Sequence, residues 1–467
     1  MLLSKLSHYL VVAGVLAPLA ASAQVAFDPA IVTPIASRPA SVTPFDLEGD
    51  GDVDLAVSAD TPDRVLVFVN DGLGTPTLAI SVPVGAGTGP DHIEAADFDG
   101  DGDVDLAVAL HNLGAVTVLA NIGGVFTPGP NVSVGADPRY LAAADLDGDG
   151  DLDLATANRD GNTATILLND GAAGFAAVAT IAVGLEPRAV VAGDWDGDLD
   201  IDLAVTNHDS RTISVLTNSA AAFAVTATLN VGATVRPEGI VAADLDADGD
   251  LDLAAAVSGN GLNVASVFVN NGGIFAGPTQ YPVGGLDPGQ LVAADFDLDG
   301  VLDLATTNKD SGNVSVLRGL GAANFGAATI LPAGLAPDRI ASADFDGNGS
   351  PDLAVASEDG NTIHTFRNQA QGTTPTTTFE RGDCFGDGGS SLADVIFALN
   401  SLFAGGARPT CVDACDVNDD GAFNLPDAVF LLNFLFAGGT TPSAPFGVCG
   451  VDPSADAMDC ATSNACP

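Results

Sequence analysis

A nine-residue acidic motif recurs seven times along this chain, at intervals of 48 to 51 residues. Its second copy reads DFDGDGDVD, from Asp97 to Asp105, and the apolar residues LAV follow it directly. Every copy begins and ends with aspartate, and the next residue is always leucine. A period near 50 residues that repeats many times is typical of a propeller or a solenoid, in which each repeat is one supersecondary unit. The repeat therefore constrains the fold more than any other feature.

The motif concentrates like charges, which repel one another in a tight turn unless a counter-charge is bound. Calcium takes six to eight oxygen ligands, and its loop sites use carboxylates at positions 1, 3 and 5, a backbone carbonyl at 7 and a further group at 9. An EF-hand would need an acid at position 12, but the second copy has Val108 there and continues as a strand. We therefore predict seven Ca²⁺ loops, each inside a β-hairpin. A single copy would fit a solvated acidic turn equally well.

The predicted metal ligands occupy four positions of the motif. Position 1 is Asp46, Asp97, Asp145, Asp194, Asp244, Asp295 and Asp344. Position 3 is Glu48, Asp99, Asp147, Asp196, Asp246, Asp297 and Asp346. Position 5 is Asp50, Asp101, Asp149, Asp198, Asp248, Asp299 and Asn348. Position 9 is Asp54, Asp105, Asp153, Asp202, Asp252, Asp303 and Asp352. Two copies are weaker, because Leu199 replaces the turn glycine in the fourth and Asn348 and Ser350 lower the charge of the seventh.

Each period has room for four short strands. In the third copy, PRYLAAADL leads into the loop, DLATAN leaves it, TATILLN follows and GFAAVATIAV ends the unit. Four strands joined by Gly, Asn and Asp turns predict a propeller blade. The fold class that follows is an all-β propeller with seven blades, in which the large apolar residue at position 2 of each loop packs between blades.

The closure of the ring is also predicted from spacing. A phenylalanine opens the last strand of most units, 19 to 21 residues before the next loop, whereas the seventh unit ends without that strand. Phe27 stands 19 residues before Asp46 and precedes any complete unit. We therefore predict that residues 25–34 complete the seventh blade of a propeller that spans residues 24–370.

These repeats, with their DFDGDGDVDLAV core, resemble the FG-GAP or VCBS repeat family, whose relatives include the head of integrin α chains. The resemblance covers about residues 25–370. It implies a calcium-bearing propeller with seven blades that serves in adhesion or ligand binding.

Composition and the N-terminus indicate export. The formal net charge of −47 accompanies 47% hydrophobic residues, which excludes a disordered acidic chain. A strongly acidic surface also argues against nucleic acid and against an anionic membrane as partners. Residues 1–23 combine Lys5, an apolar stretch and an ASA ending, so we predict a cleaved signal peptide, no membrane span and a secreted or surface-held protein.

The C-terminal part has a different composition. A Thr/Pro-rich linker, residues 371–378, precedes residues 379–467, which contain all six cysteines. An even number of cysteines in a small exported domain indicates disulfides, and six allow 15 full pairings, of which we favour one between Cys384 and Cys415.

Two loop-helix units in this part are similar to type I dockerins, calcium-folded modules that dock onto cohesin partners. The second unit, DVNDDGAFNLPD, offers Asp416, Asn418, Asp420, Asn424 and Asp427 as ligands and leads into an apolar helix. The first unit, Asp383 to Asp394, has Phe385 at position 3. The resemblance implies a small, helical, disulfide-rich calcium-loop domain with a cohesin-like partner. The competing interpretation is a disulfide-capped helical pair that only seals or tethers the propeller.

Basic residues separate by face in a blade of this order. Nine of the 11 Lys and Arg between residues 25 and 370 fall at the end of the propeller opposite the acidic loops. Guanidinium groups bind carboxylates and sulfates well, so we predict that this end binds an acidic carbohydrate or an extracellular protein ligand. The candidate residues are Arg139, Arg159, Arg188, Arg211, Arg236, Lys309 and Arg339. The competing interpretation pairs these residues with loop acids such as Asp160, Asp209, Asp310 and Asp359.

An enzyme is the less favoured class. Catalysis needs a convergent set of base, nucleophile or acid, and the sequence contains neither Gly-x-Ser-x-Gly nor His-Glu-x-x-His. We predict a binding or adhesion module without catalytic residues, with a structural surface scaffold as the alternative and a propeller lyase or hydrolase as the weaker one.

Overall fold

The computed structural model describes residues 25–370, 392–403, 415, 417 and 425–437. The chain divides into two compact units, of which the first ends at Ala370 and the second begins at Gln371. The predicted signal peptide and the Thr/Pro-rich linker lie outside the described residues.

The described part of the first unit forms seven antiparallel sheets, which we number by the acidic loop that each contains. Blade 1 consists of β2 (Thr43–Phe45), β3 (Asp54–Asp60), β4 (Asp63–Val69) and β5 (Thr77–Pro83). Blade 2 consists of β6 (Pro90–Ala96), β7 (Asp105–Leu110), β8 (Ala115–Ile122), β9 (Val125–Pro128) and β10 (Val132–Ser133). Blade 3 consists of β11 (Pro138–Ala144), β12 (Asp153–Asn158), β13 (Thr163–Leu168) and β14 (Ala176–Ala182). Blade 4 consists of β15 (Pro187–Gly193), β16 (Asp202–Asn207), β17 (Thr212–Thr217) and β18 (Ala224–Asn230).

The remaining blades follow the same order. Blade 5 consists of β19 (Arg236–Ala243), β20 (Asp252–Gly259), β21 (Leu262–Val269) and β22 (Ala276–Pro282). Blade 6 consists of β23 (Pro288–Ala294), β24 (Asp303–Asn308), β25 (Asn313–Gly319) and β26 (Phe325–Pro332). Blade 7 consists of β27 (Pro337–Ala343), β28 (Asp352–Ser357), β29 (Thr362–Phe366) and β1 (Ile31–Pro34). The first unit is thus a seven-bladed, all-β propeller.

The N-terminal strand supplies the outer edge of blade 7. Strand β1 pairs with β29 from Ile31 opposite Thr365 to Pro34 opposite Thr362, and Phe27 forms a bridge with Asn368. The Phe27 ring also lies 5.8 Å from Phe296 of blade 6. The two ends of the propeller segment are therefore joined within one sheet.

Burial follows the position of a strand in its blade. The first strands of neighbouring blades contact one another around the axis, and the second strands, such as β7 and β12, are buried along their whole length. Strands covered on both faces need continuous apolar or small residues, which the sequences DLAVAL and DLATAN provide. The outer strands alternate or are exposed, as in β14.

Aromatic residues pack across the seams between blades. Phe98, at position 2 of the second loop, meets Phe175 of blade 3 edge to face at 5.5 Å, and Trp195 meets Phe275 of blade 5 at 6.1 Å. The predicted packing of position 2 between blades is confirmed. Phe27 takes the place of the blade 7 phenylalanine in this pattern, against Phe296.

The propeller has two ends, which we name by their contents. The seven acidic loops join the first and second strands of each blade and share one end with the third-to-fourth connections; this end is the loop face. The second-to-third connections and the links between blades form the opposite end, the arginine face.

The described part of the second unit contains two helices in contact, α1 (Leu392–Phe403) and α2 (Leu425–Ala437). Val395, Ala428 and Leu431 are buried in a small apolar cluster between them. No described helix is both long and apolar enough to span a membrane.

Candidate functional site

The acidic loops close on their first aspartate. In the second loop, the N–H groups of Gly100 and Gly102 donate to the two carboxylate oxygens of Asp97 at 2.7 and 3.0 Å. The N–H of position 6 makes the same bond to position 1 in all seven loops. This turn requires a positive φ at position 6, which glycine adopts easily. Leu199 adopts it as well, with φ 75°, so the fourth loop keeps the turn without its glycine.

The last aspartate of each motif anchors the loop to the blade. Asp105 is fully buried and accepts the N–H of Phe98 at 3.1 Å on one oxygen and the N–H of Asn121 at 2.7 Å on the other. Each of the other six position-9 aspartates accepts the equivalent two bonds. Position 9 therefore has a structural role that the sequence-based assignment as a metal ligand does not include.

The loop carboxylates gather at single points. Three oxygens lie within 4.8 Å of one another in four loops: Asp97, Asp99 and Asp101; Asp145, Asp147 and Asp153; Asp194, Asp196 and Asp202; Asp244, Asp246 and Asp248. In the seventh loop, Asp346 Oδ1 is buried without a hydrogen-bond partner. Carboxylate oxygens arranged in this way are the donors that a hard divalent cation takes. The second to fifth loops, and Asp346 of the seventh, thus fit a bound cation.

The electrostatics of the loops are those of negative charge without compensation. Burial is the largest cause that raises the pKa of Asp105 to about 6, and the neighbouring Asp99 and Asp101 add to it. Burial likewise raises the pKa of Asp202 to about 6, and the neighbouring Asp196 and Asp198 add to it. A cation bound among these groups would favour their ionised forms.

The sixth loop is different because a guanidinium group enters it. Arg318 Nε contacts Asp297, and Arg318 Nη2 lies 2.6 Å from Asp299 Oδ2. The residues at positions 3 and 5 of this loop are therefore joined by an internal cation.

An asparagine belt under the loops was not predicted from the sequence. Asn169 donates its side-chain amide to the carbonyl of Phe98 in blade 2 at 2.8 Å and to the carbonyl of Leu152 at 3.1 Å. Asn70, Asn218, Asn270 and Asn368 also donate to the position-2 carbonyl of the preceding blade. The signal is visible in the sequence, because four of these five asparagines follow position 9 by 16 residues and Asn270 follows it by 18. Gly319 takes this place in blade 6.

The arginine face has a cavity at the propeller axis, which we call the axial mouth. It has a volume of about 350 Å³, within the usual range for a ligand pocket. Small residues at the starts of the first strands, Ala189, Gly239 and Gly289, leave the space open. Charged residues surround it: Arg38, Asp91, Arg139, Arg159, Arg188, Glu238, Asp287, Lys309, Asp338, Arg339 and Glu358.

The structure brings five of the seven predicted ligand-face residues to the axial mouth: Arg139, Arg159, Arg188, Lys309 and Arg339. Arg211 and Arg236 do not line it. Arg211 donates to the carbonyl of Ala233 at 2.6 Å, and Arg236 pairs with Asp209 at 3.4 Å. Arg38 lines the axial mouth but was not among the predicted ligand residues, although its place just before the first strand of blade 1 could have indicated it.

Most of these basic residues are already paired with carboxylates. Asp91 lies 2.8 Å from Arg139 and 3.2 Å from Arg339. Lys309 lies 3.0 Å from Glu358 and 3.3 Å from Asp338. Burial pushes the pKa of Asp338 upward, but the attraction of Lys309 and Arg339 outweighs it and holds the pKa below its usual range. Pairing is thus extensive, but the main partners are acids of the axial mouth and not only the predicted loop acids.

Arg188 is the least engaged of the arginines at the axial mouth. Its nearest carboxylates, Glu186 and Glu238, lie 3.5 and 3.9 Å away, and its Nε is buried without a hydrogen-bond partner. It stands beside Ala189, whose small side chain leaves the cavity open. Among the arginines of the described cavity, Arg188 therefore has the most capacity left for an added carboxylate.

The floor of the axial mouth is a network across the channel. Arg339 of blade 7 lies over the Tyr140 ring of blade 3 at 5.2 Å and donates to Gln290 of blade 6 at 3.1 Å. The Tyr140 ring stacks on His92 of blade 2 at 3.7 Å, and Gln290 donates to the Tyr140 hydroxyl. Four blades are thus connected at the axis.

The FG-GAP-like repeat matches residues 46–108, 100–156, 145–205, 194–255, 244–306 and 295–355. These matches cover more than half of the sequence. The chain belongs to the FG-GAP-like repeat family. The comparison with curated proteins found no match to this chain.

Solved structures with the same fold are distant in sequence from this FG-GAP-like chain. BBS1N in complex with ARL6DN is 15% identical with a TM-score of 0.52, over 75% of this chain and 99% of BBS1N. Virginiamycin B lyase from Staphylococcus aureus is 13% identical with a TM-score of 0.51, over 73% of this chain and 99% of the lyase. A Lactobacillus plantarum protein is 16% identical with a TM-score of 0.51, over 65% of this chain and 87% of that protein. These similarities show the propeller fold alone.

Few of the predicted tail features lie in the described residues. Asp427 is fully buried at the start of α2, and Cys415 is buried and disulfide-bonded. The predicted ligands Asp416, Asn418, Asp420 and Asn424, and the predicted partner Cys384, lie outside the described residues.

Proposed function

We propose that this FG-GAP-like propeller is an exported binding module whose acidic loops hold Ca²⁺ and whose axial mouth takes a carboxylate-bearing ligand. The observation that carries the ligand proposal is the cavity on the arginine face, with Arg188 beside it, whose guanidinium makes one long hydrogen bond, to Glu186 at 3.5 Å. An added carboxylate would give the half-buried Arg188 side chain a closer acidic partner than Glu186 or Glu238, and a charge-assisted bond of this kind is among the stronger ones.

Two ligand sources share this chemistry: an acidic glycan, through its uronate groups, and an acidic segment of a protein. The charged residues around the axial mouth include both signs, so a highly charged polyanion would meet Asp338 and Glu358 as well as the arginines. This arrangement favours a ligand that places one or a few carboxylates in the cavity.

Calcium would act at the opposite end of the molecule. Cations bound among the carboxylates of the acidic loops would neutralise their repulsion and keep the blade hairpins closed. Because Asp105 and its equivalents connect each loop to the strand beneath, closed loops would also fix the first strands, whose other ends form the axial mouth. Ligand binding should therefore weaken when calcium is removed.

The test is binding of the mature protein to an array of acidic and neutral polysaccharides and acidic peptides, in CaCl₂ and in EDTA. Whichever acidic class binds, R188A should lower the affinity at least tenfold, whereas R236A should leave it unchanged, because Arg236 is on the same face but outside the axial mouth. Equal affinities of R188A and the parent protein would contradict the site, and binding only to neutral ligands would contradict the ligand class.

For the tail, we propose calcium-dependent docking onto a cohesin-like partner. The contact between α1 and α2, with Asp427 buried at the start of α2, supports a folded loop-helix unit. Full-length protein should bind a cohesin domain from a test panel in CaCl₂ and release it in EDTA. Failure with the whole panel, while the tail remains helical by circular dichroism, would favour the sealing or tethering role instead.

A further inference from the structure

The sixth loop already contains a positive charge at the place where its neighbours lack one. Arg318 Nε contacts Asp297, whose side chain is fully buried, and Nη2 lies 2.6 Å from Asp299. These are positions 3 and 5 of the motif, whose oxygens lie within 4.8 Å of each other and of position 1 in the second and fifth loops. The guanidinium fork therefore bridges the two carboxylates that a cation would use.

A guanidinium group and a divalent cation cannot share this place. Arg318 contacts Asp297 Oδ2 and Asp299 Oδ2, and Asp297 Oδ1 is left without a hydrogen-bond partner. Calcium binds its oxygen ligands at about 2.3 to 2.6 Å, so a cation on Asp297 Oδ1 would lie directly beside the guanidinium group. A cation beside Arg318 would also face like-charge repulsion in a partly buried setting, where screening by water is weaker. Either Arg318 leaves or the metal does not enter.

The equivalent residue in the first five blades carries no charge. It is Val69, Ala120, Leu168, Thr217 and Val269, and each of these directly precedes an asparagine. In blade 7 it is Arg367, but Arg367 pairs with Asp28 near the closing strand at 3.1 Å. In the described residues, Arg318 is the basic side chain that joins two carboxylates of one acidic loop.

We propose that Arg318 replaces the cation of the sixth loop, so that this loop closes without metal. The inference rests on the proposed binding of calcium by the other loops. Repeats that share one motif would then differ in function, because the propeller would bind fewer calcium ions than it has acidic loops.

The sixth loop lies beside the point where the ring closes, so the replacement would affect ring closure. Phe296, at position 2 of that loop, is the residue against which Phe27 packs where the N-terminal segment closes the ring. Asn368 of blade 7 also donates to the Phe296 carbonyl at 2.7 Å. A loop held by Arg318 would keep both closing contacts in place when calcium is scarce.

A luminescent lanthanide tests the sixth loop separately from the others. The sequence has a single tryptophan, Trp195, at position 2 of the fourth loop, where it can sensitise Tb³⁺ bound to that loop. In the double variant W195F/F296W, the tryptophan occupies the same position of the sixth loop. We expect sensitised emission from the parent protein, at least a fivefold loss in the double variant and recovery when R318Q is added. Emission equal to the parent in the double variant would overturn the inference.

A matched pair of single substitutions gives a second test that keeps Arg318. Asp196 and Asp297 both occupy position 3, in the fourth and sixth loops. In equilibrium dialysis with CaCl₂, D196N should bind one ion fewer than the parent, and D297N should bind the same number. Any ions held by the tail contribute equally to all three proteins.

The outcomes separate this inference from the proposed function. A parent protein that binds calcium and loses one ion in D297N would contradict the replacement by Arg318 alone. A parent protein that binds no calcium would contradict the proposed function and, with it, the idea that a cation is replaced.

Discussion

The arginine face and the loop face of this propeller both concentrate carboxylates, but they differ in what lies beside them. On the arginine face, Asp91 contacts Arg139 and Arg339, and Glu358 contacts Arg38 and Lys309. On the loop face, the described side chains form no ion pair with the acids of the first five loops. The comparison teaches that one face contains its own cations, whereas the acids of the first five loops have no basic partner among the described residues, and we propose that they take cations from solution.

The sixth loop shows that the difference is one of residues and not of backbone. Its turn has the same bond from position 6 to Asp295 as the other loops, and Asp303 accepts the same pair of N–H groups. Arg318, at the end of β25, pairs with carboxylates of this loop, as the basic residues of the arginine face do with theirs.

The largest effect among single substitutions is expected from breaking the internal pairing on the arginine face. Arg339 is largely buried and contacts Asp91, Gln290 and Tyr140. R339A should lower the free energy of unfolding by about 3 kcal/mol, because it leaves carboxylates buried with fewer partners. Urea denaturation in saturating calcium measures this. The control is R236A, whose exposed pair with Asp209 should contribute within about 0.5 kcal/mol; equal effects of the two variants would contradict the account.

A smaller effect on stability is expected from Glu94, which lies in the channel between the two faces. Burial raises the pKa of Glu94 from its ordinary value of 4.5 to about 8. The 28% of its side chain that is exposed faces a narrow cavity lined by Tyr140 and Arg339. Between these two pH values the unfolded chain loses the proton that the folded protein keeps, so this group makes stability fall as pH rises.

The variant E94Q should remove that contribution. The difference in melting temperature between E94Q and the parent should be near zero below pH 4.5 and should grow in favour of E94Q up to pH 8. Melting curves of both proteins across this range measure it, and a difference that does not change with pH would show that Glu94 is not protonated in the folded state.

The smallest effect is expected in the asparagine belt, which does not depend on charge. N169A removes the two bonds to the carbonyls of Phe98 and Leu152 and should cost about 1 kcal/mol, with or without calcium. The exposed Asn271 provides the control, since N271A should change stability by less than about 0.5 kcal/mol. A cost for N169A that vanishes in EDTA would mean that the belt only transmits the effect of the metal.

Much of the fold follows from regular spacing. The seven motifs predict the seven blades, and the place of Phe27 before Asp46 points to the strand β1 that pairs with β29. The continuous apolar run after each loop predicts a strand that is buried on both faces, such as β7. Alternating polar and apolar residues predict a half-exposed outer strand, such as β14. Such features depend on neighbours in sequence, so they are readable without a structure.

The candidate site was less predictable because its contacts are remote in sequence. Arg339 and Asp91 are 248 residues apart, and which acid each arginine meets depends on how blades are placed around the axis. The cavity itself results from small residues, Ala189 and Gly239, at positions where other blades have Tyr140 or Arg339. The asparagine belt was predictable in principle, but its regular spacing does not indicate that it joins adjacent blades.

The most direct test of the central claim is thermal unfolding of the mature protein, followed by the emission of Trp195, in CaCl₂ and in EDTA with MgCl₂. Each cation-binding loop should contribute about 1.4 kcal/mol at a calcium concentration ten times its dissociation constant. We predict a midpoint that is clearly higher in CaCl₂ and is restored when calcium is returned to the chelated protein. Identical midpoints in the two solutions would contradict the account, because the loop face would then be stable without cations from solution.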